Sequence, residues 1–112
     1  MKGNKGRLIW PPASKDDLHK IWNYYARVAS LDVADQLVRD IERAGERVMG
    51  NPLQWRLRMD IWPGLGGGLR SIIVHPYTVF YQLTENDVRI VRVLHERQDA
   101  ATILTEERSG RS

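Results

Sequence analysis

The apolar residues of this chain change their spacing once, at Gln54, and that change restricts the folds open to it. Before it, Leu18, Ile21, Trp22, Tyr25, Ala26 and Ala29 fall on one face of a helix, as do Ala34, Leu37, Val38, Ile41, Ala44 and Val48. After it the period drops to about two, the spacing of a sheet. Ser14, with Asp17 three residues on, reads as the cap of the first helix. Ser30 or Asp32 opens the second, which Gly50, Asn51 and Pro52 stop. Two amphipathic helices joined by about two residues fold back as an antiparallel hairpin. Asp35, Arg39, Asp40, Arg43, Glu46 and Arg47 sit opposite the apolar stripe and read as a solvated face.

The strands follow from composition as well as period. Gly6–Trp10 reads as a first strand, ended by Pro11-Pro12, which remove two donors and force an extended backbone. Trp55–Ile61 is a candidate strand, Pro63–Gly68 a loop, Leu69–Val74 the next strand, and His75-Pro76 a turn. Tyr77–Leu83 and Val88–His95 form a hairpin around Glu85–Asp87, both rich in β-branched and aromatic residues. Gln98–Leu104 reads as a short closing helix and Thr105–Ser112 as a frayed polar tail. The expectation is one α+β domain over residues 1–112, with its core at about 6–104. An N-terminal edge strand and a helix hairpin pack on an antiparallel sheet, and a short C-terminal helix closes it. Part of the second sheet face stays open.

Composition removes several classes of function. With no cysteine there is no disulfide framework, thiolate nucleophile or cysteine-based metal site, which fits a reducing cytoplasm. No apolar run approaches the roughly 20 residues of a membrane span, and Met1–Arg7 leads into no signal-peptide core. Gly64–Gly68 lacks the Gly-Lys-Ser/Thr ending of a phosphate loop. His19, His75 and His95 have no ligand spacing, so neither a metal nor a cofactor is expected. The net charge is +3, too small for a protein built around phosphate binding.

The cations are nevertheless of one kind: Lys2, Lys5, Lys15 and Lys20 are the only lysines, and every later cation is an arginine. Arginine suits bidentate contact with carboxylates and phosphates and stacking on aromatic rings. Arg56, Arg58, Arg70, Arg89, Arg92 and Arg97 lie on or beside the expected strands. Strict alternation puts Arg92 on a face with Ile90 and Leu94, where it needs either a carboxylate, Glu96 or Asp99, or an external partner. His95 precedes Glu96, Arg97 and Asp99 at a strand-to-helix junction, where an imidazole can titrate near neutral pH. Trp55 and Trp62 flank a strand beside the glycine-rich loop, in the manner of partner-binding anchors.

Asp17–Tyr25, the helix ending at Asn51-Pro52, Arg70, Tyr77-Thr78-Val79-Phe80-Tyr81 and above all Arg92-Val93-Leu94-His95-Glu96-Arg97-Gln98-Asp99 resemble a ParE-type toxin of the RelE/ParE superfamily. The resemblance runs from about Gly6 to Leu104. It implies a bacterial type II toxin, held in a hetero-oligomer by a ParD-like or similar antitoxin whose C-terminal segment wraps it with a helix and often an added strand. ParE-type members poison DNA gyrase by binding, and no sequence-specific DNA contact is expected of the toxin alone. RelE-type members cut messenger RNA on the ribosome, with lysines and arginines of the sheet and a tyrosine of the C-terminal segment. Here the sheet half has no lysine, and the tyrosines are Tyr24, Tyr25, Tyr77 and Tyr81. The expectation is therefore a gyrase poison that is not an enzyme. The alternatives are a ribosome-dependent endoribonuclease with His95 as base, or a detoxified homologue acting only with its antitoxin. Arg70, His95 and Arg97 are the candidates for a clustered toxic surface. Trp22, Trp55, Arg58, Trp62 and Tyr81 are the candidates for antitoxin contact in a groove between helices and sheet.

Overall fold

A computed structural model describes residues 6–62 and 68–108, so most of the glycine-rich loop and the residues after Arg108 lie outside the described part. The elements run β1 (Leu8–Ile9), α1 (Pro12–Val28), α2 (Leu31–Gly50), β2 (Arg56–Leu57), β3 (Arg70–Val74), β4 (Tyr77–Thr84), β5 (Asp87–His95) and α3 (Ala100–Arg108). They build the expected α+β arrangement, with sheet order β1-β5-β4-β3-β2. β1 joins the edge parallel to β5, and the other pairs are antiparallel.

The helix hairpin forms where the stripe predicts, but its first cap differs. Pro11 is the N-cap of α1 and Pro12 takes the first turn, where a fixed φ and a missing N–H suit a helix start. The helix thus begins two residues before Ser14, which is buried inside it and donates its hydroxyl to the Pro11 carbonyl at 2.8 Å. Ser30 caps α2 by accepting from Val33 N–H. Gly45 on α2 permits a close approach: a Cβ there would stand 3.1 Å from the Trp10 ring. The hairpin buries one face of the sheet around Ile21, Ile41, Ala44, Val48, Ile72, Val79, Tyr81, Val88 and Ile90.

A second, smaller cluster lies on the opposite face, where α3 brings Leu104 onto Phe80, Leu94, Leu69 and Trp62. Three expectations change here. The segment after Trp55 is a strand only at Arg56–Leu57, because Ile61 and Trp62 N–H both turn back to the Arg58 carbonyl and carry Trp62 beneath α3. Trp62 is 7% exposed and donates its indole N–H to the Leu104 carbonyl at 3.1 Å, so it is buried structure rather than an exposed anchor. The closing helix starts at Ala100, where Asp99 accepts from Thr102, and continues to Arg108, so residues 105–108 are helical and not a frayed tail.

The hairpin β4–β5 carries an irregularity opposite Phe80 and Tyr81, which pair with Arg92 and Ile90 and leave Val91 extra. The bulge breaks the expected alternation. Ile90 belongs to the helix-side core and Leu94 to the α3 side, so the face assigned to Ile90, Arg92 and Leu94 does not exist. Among the described residues no helix is long and apolar enough to cross a membrane.

Candidate functional site

Arg92 shows what the bulge achieves. β1 pairs with β5 only at Val88 and Arg89, so the later part of that edge needs another partner for its backbone. α1 supplies it: Asp17 accepts from Val93 N–H at 2.8 Å and from Arg92 Nε and Nη2 at 2.7 and 2.8 Å. Arg92 also meets Glu107 of α3 at 3.3 Å, so one guanidinium ties α1, β5 and α3 together. Both carboxylates help hold Arg92 charged, the hydrogen bond to Asp17 most strongly. Of the two alternatives for Arg92 the internal ion pair is the one found, with Asp17 and Glu107 in place of Glu96 or Asp99. Asp17 lies 75 residues away, too far for any local pattern to reveal.

Arg70, His95 and Arg97 do not cluster. Arg70 pairs with Tyr81 and His95 with Tyr77, so four steps of β4, roughly 13 Å of strand, separate them along the sheet. Arg70 donates to the carbonyls of Leu53 and Trp55, fixing the connection that leads out of α2. His95 and Arg97 do meet: Arg97 N–H donates to His95 Nδ1 at 3.1 Å. A lone pair engaged at Nδ1 puts the proton of the neutral imidazole on Nε2. The ring packs edge-on against Tyr77 at 5.2 Å. Burial, then a hydrogen bond with Tyr25, pushes the Tyr77 phenol up from its ordinary range. Neighbouring His75 faces Glu96 at 3.4 Å.

The five candidates for partner contact also separate. Tyr81 is fully buried and donates its hydroxyl to the Pro52 carbonyl at 2.6 Å, and burial pushes its pKa up to about 12. With Trp62 also buried, neither side chain is offered to a partner. Trp22 is half-buried, donates to Asp35, and shares a groove of about 280 Å³ with Trp10, Leu18 and Val38 near the β1 edge. Trp55 and Arg58 lie at the opposite edge, on a groove of about 370 Å³ that also takes in Arg47, Arg56 and Ile73. Arg58 is held by Asp60 at 2.9 Å and over the Phe80 ring at 5.4 Å. That guanidinium in turn depresses the Asp60 pKa.

The groove at Trp55 has a feature that sequence reading missed. β2 pairs only with Arg70 and Ser71, so among the described residues the outer edge of β3 beyond Ser71 has no strand partner. Beside it Ile73 is 69% exposed, a large apolar side chain on an open strand edge. Alternation alone could have flagged Ile72-Ile73 as facing both ways.

Among the described residues no group of three His, Cys, Asp or Glu is placed to hold a metal ion. Three comparisons with known proteins give the arrangement its family. Residues 8–100 match the family model "ParE toxin of type II toxin-antitoxin system, parDE". Toxin ParE1 of Mycobacterium tuberculosis is 33% identical over 94 residues, covering 83% of this chain and 92% of that protein. Toxin ParE3 of Caulobacter vibrioides is 31% identical over 99 residues, covering 88% and 95%. A solved structure described as a chromosomal ParDE TA system from P. aeruginosa superposes with a TM-score of 0.68 at 18% identity, over 83% of this chain and 98% of that one. With that family model matched over most of its length, two curated relatives above 30% identity and the shared fold, the chain belongs to the ParE toxin family of type II toxin–antitoxin systems.

Proposed function

We propose that this chain inhibits DNA gyrase in the cytoplasm by binding it, without being an enzyme, and that a ParD-like antitoxin neutralises it. The observation that carries the reading is the state of its candidate catalytic groups. Cleaving RNA by transesterification needs a free base for the 2′-hydroxyl, a donor for the leaving oxygen and unengaged cations for the phosphate. His95 has its Nδ1 lone pair engaged by the Arg97 N–H. Tyr81 is buried on the Pro52 carbonyl, and Arg70 is occupied by two backbone carbonyls. Arg92 is occupied by two carboxylates. Arg70, Arg92 and Tyr81 hold the fold, and His95 has no free lone pair at Nδ1 with which to act as a base.

The free β3 edge beside Trp55, Arg56 and Ile73 is the seat we assign to the antitoxin. An added strand would supply the missing hydrogen bonds, cover Ile73 and place acidic side chains near Arg47 and Arg56. Trp55 and Arg58 of the original candidates remain in this seat. Arg97 and His95 remain at the other end of the sheet as candidates for the target.

The test adds the purified chain, freed of antitoxin, to gyrase with supercoiled plasmid, and in parallel to a translating ribosome extract. Inhibited gyrase with intact message is expected. Cleaved message with untouched gyrase would overturn the proposal, and inactivity in both assays would favour a detoxified homologue.

A further inference from the structure

Between the middle of α1 and the end of β5 lies an open cleft of about 200 Å³. Among the described residues Asp17 is the only carboxylate that lines it, and three donors already occupy it. The charge of Arg92, beneath it, is answered by Asp17 and Glu107. Two basic side chains remain for an incoming ligand. Lys20 is exposed and has no hydrogen-bond or ion-pair partner among the described residues. His95, with Nδ1 engaged, has its ring N–H at Nε2. Ile21, Tyr24 and Tyr77 give the same cleft apolar and aromatic walls.

We propose that this cleft binds a single carboxylate side chain projecting from the toxin's protein target, between Lys20 and His95, an inference that rests on the binding reading above. An ammonium and an N–H suit a carboxylate, and the aromatic walls suit the methylenes that carry it. The volume argues against a nucleotide, since small-molecule sites run from about 300 Å³ upward. A nucleic-acid backbone would also require a track of unpaired cations, whereas Lys20 is the one lysine lining this cleft and its arginine is neutralised.

Acetate and inorganic phosphate, titrated separately into the purified chain, separate the possibilities when the side-chain NMR signals of Lys20, Tyr24 and His95 are followed. Acetate is expected to shift all three in concert, and Lys20→Gln to weaken it about fivefold, the effect of about one exposed charge pair. Lys20 is exposed, so the variant should melt at the wild-type temperature. Phosphate binding about tenfold more tightly than acetate, with shifts spreading beyond the cleft, would overturn the carboxylate assignment in favour of nucleic acid. Absence of any concerted shift with acetate would overturn the site. Against the gyrase holoenzyme, Lys20→Gln should inhibit about fivefold less well; undiminished inhibition refutes the cleft's role in target binding. A wild-type chain that leaves gyrase untouched defeats the target reading alone, while the acetate titration still decides the cleft.

Discussion

On one face of the sheet α1 and α2 lay 37 residues of helix over a continuous apolar cluster; on the other, α3 has nine residues and reaches the sheet chiefly through Leu104 and its neighbours. The first face is held by area. Ile41, Ala44, Val48, Val79, Tyr81, Val88 and Ile90 are all fully buried there, each large side chain contributing about 1.5–3 kcal/mol by its removal from water. The second is held by a few directed contacts: the Trp62 indole on the Leu104 carbonyl, Arg92 on Glu107, and Arg108 over the Trp62 ring. A sheet covered so unequally can keep its core intact while its thinner cover loosens.

The sharpest way to break that comparison is a matched pair of truncations. Ile41→Ala should lower the global unfolding free energy by about 4 kcal/mol in urea, because Ile41 is fully buried in the larger cluster and its truncation leaves a cavity there. Leu104→Ala should cost about 2 kcal/mol, with amide exchange rising first in α3 while β4 stays protected. Equal losses, both with global exchange, would mean that α3 belongs to the same cooperative core.

Arg92→Ala tests the link between the two covers. It leaves Asp17, 7% exposed, without its cation, and breaking a largely buried pair costs about 3 kcal/mol. Both α1 and α3 should loosen in exchange measurements, since the same guanidinium reaches both. Loss of protection in α3 alone would show that Asp17 manages with Val93 N–H, and the coupling argument would fail.

How legible each face was follows from the same contrast. The helix-side face could be read from the sequence because most of it obeys a regular period: Ile21, Ile41, Ala44 and Val48 sit where a stripe puts them, and Tyr77, Val79 and Tyr81 of β4 alternate against it. The α3 side could not, because its contacts join residues far apart without a repeating spacing. Trp62 finds Leu104 42 residues on, and Arg92 finds Asp17 75 residues back. The bulge near Val91 reversed an alternation that reads cleanly on paper. The candidate site suffered likewise. Arg70 and His95 look alike as basic residues near strand ends, yet the antiparallel register sends them to opposite ends of the sheet. Trp62 and Tyr81 look like anchors because their rings carry polar atoms, which here bond to backbone carbonyls of the same chain.

The smallest expected effect concerns the rim of the better-covered face, where β1 is only two residues long. Val88 N–H donates to the Arg7 carbonyl, and Arg7 returns its own N–H to Asp87 Oδ1 at 2.9 Å and its guanidinium to Oδ2 at 3.2 Å. These bonds, the backbone one first, hold the Asp87 carboxyl below its usual range. A depressed folded pKa stabilises the folded state above the unfolded value of about 3.9, and the contribution disappears as pH falls through the lower folded value. As pH falls below about 4, therefore, β1 should release from β5, seen as faster exchange at Ile9 and Val88 N–H. Asp87→Asn, which keeps one acceptor but does not titrate, should remove that pH dependence while leaving the exchange of β4 unchanged. If β4 loosens together with β1 in the acid window, the rim and the helix-side core are one unit, and the two faces differ less than their coverage suggests.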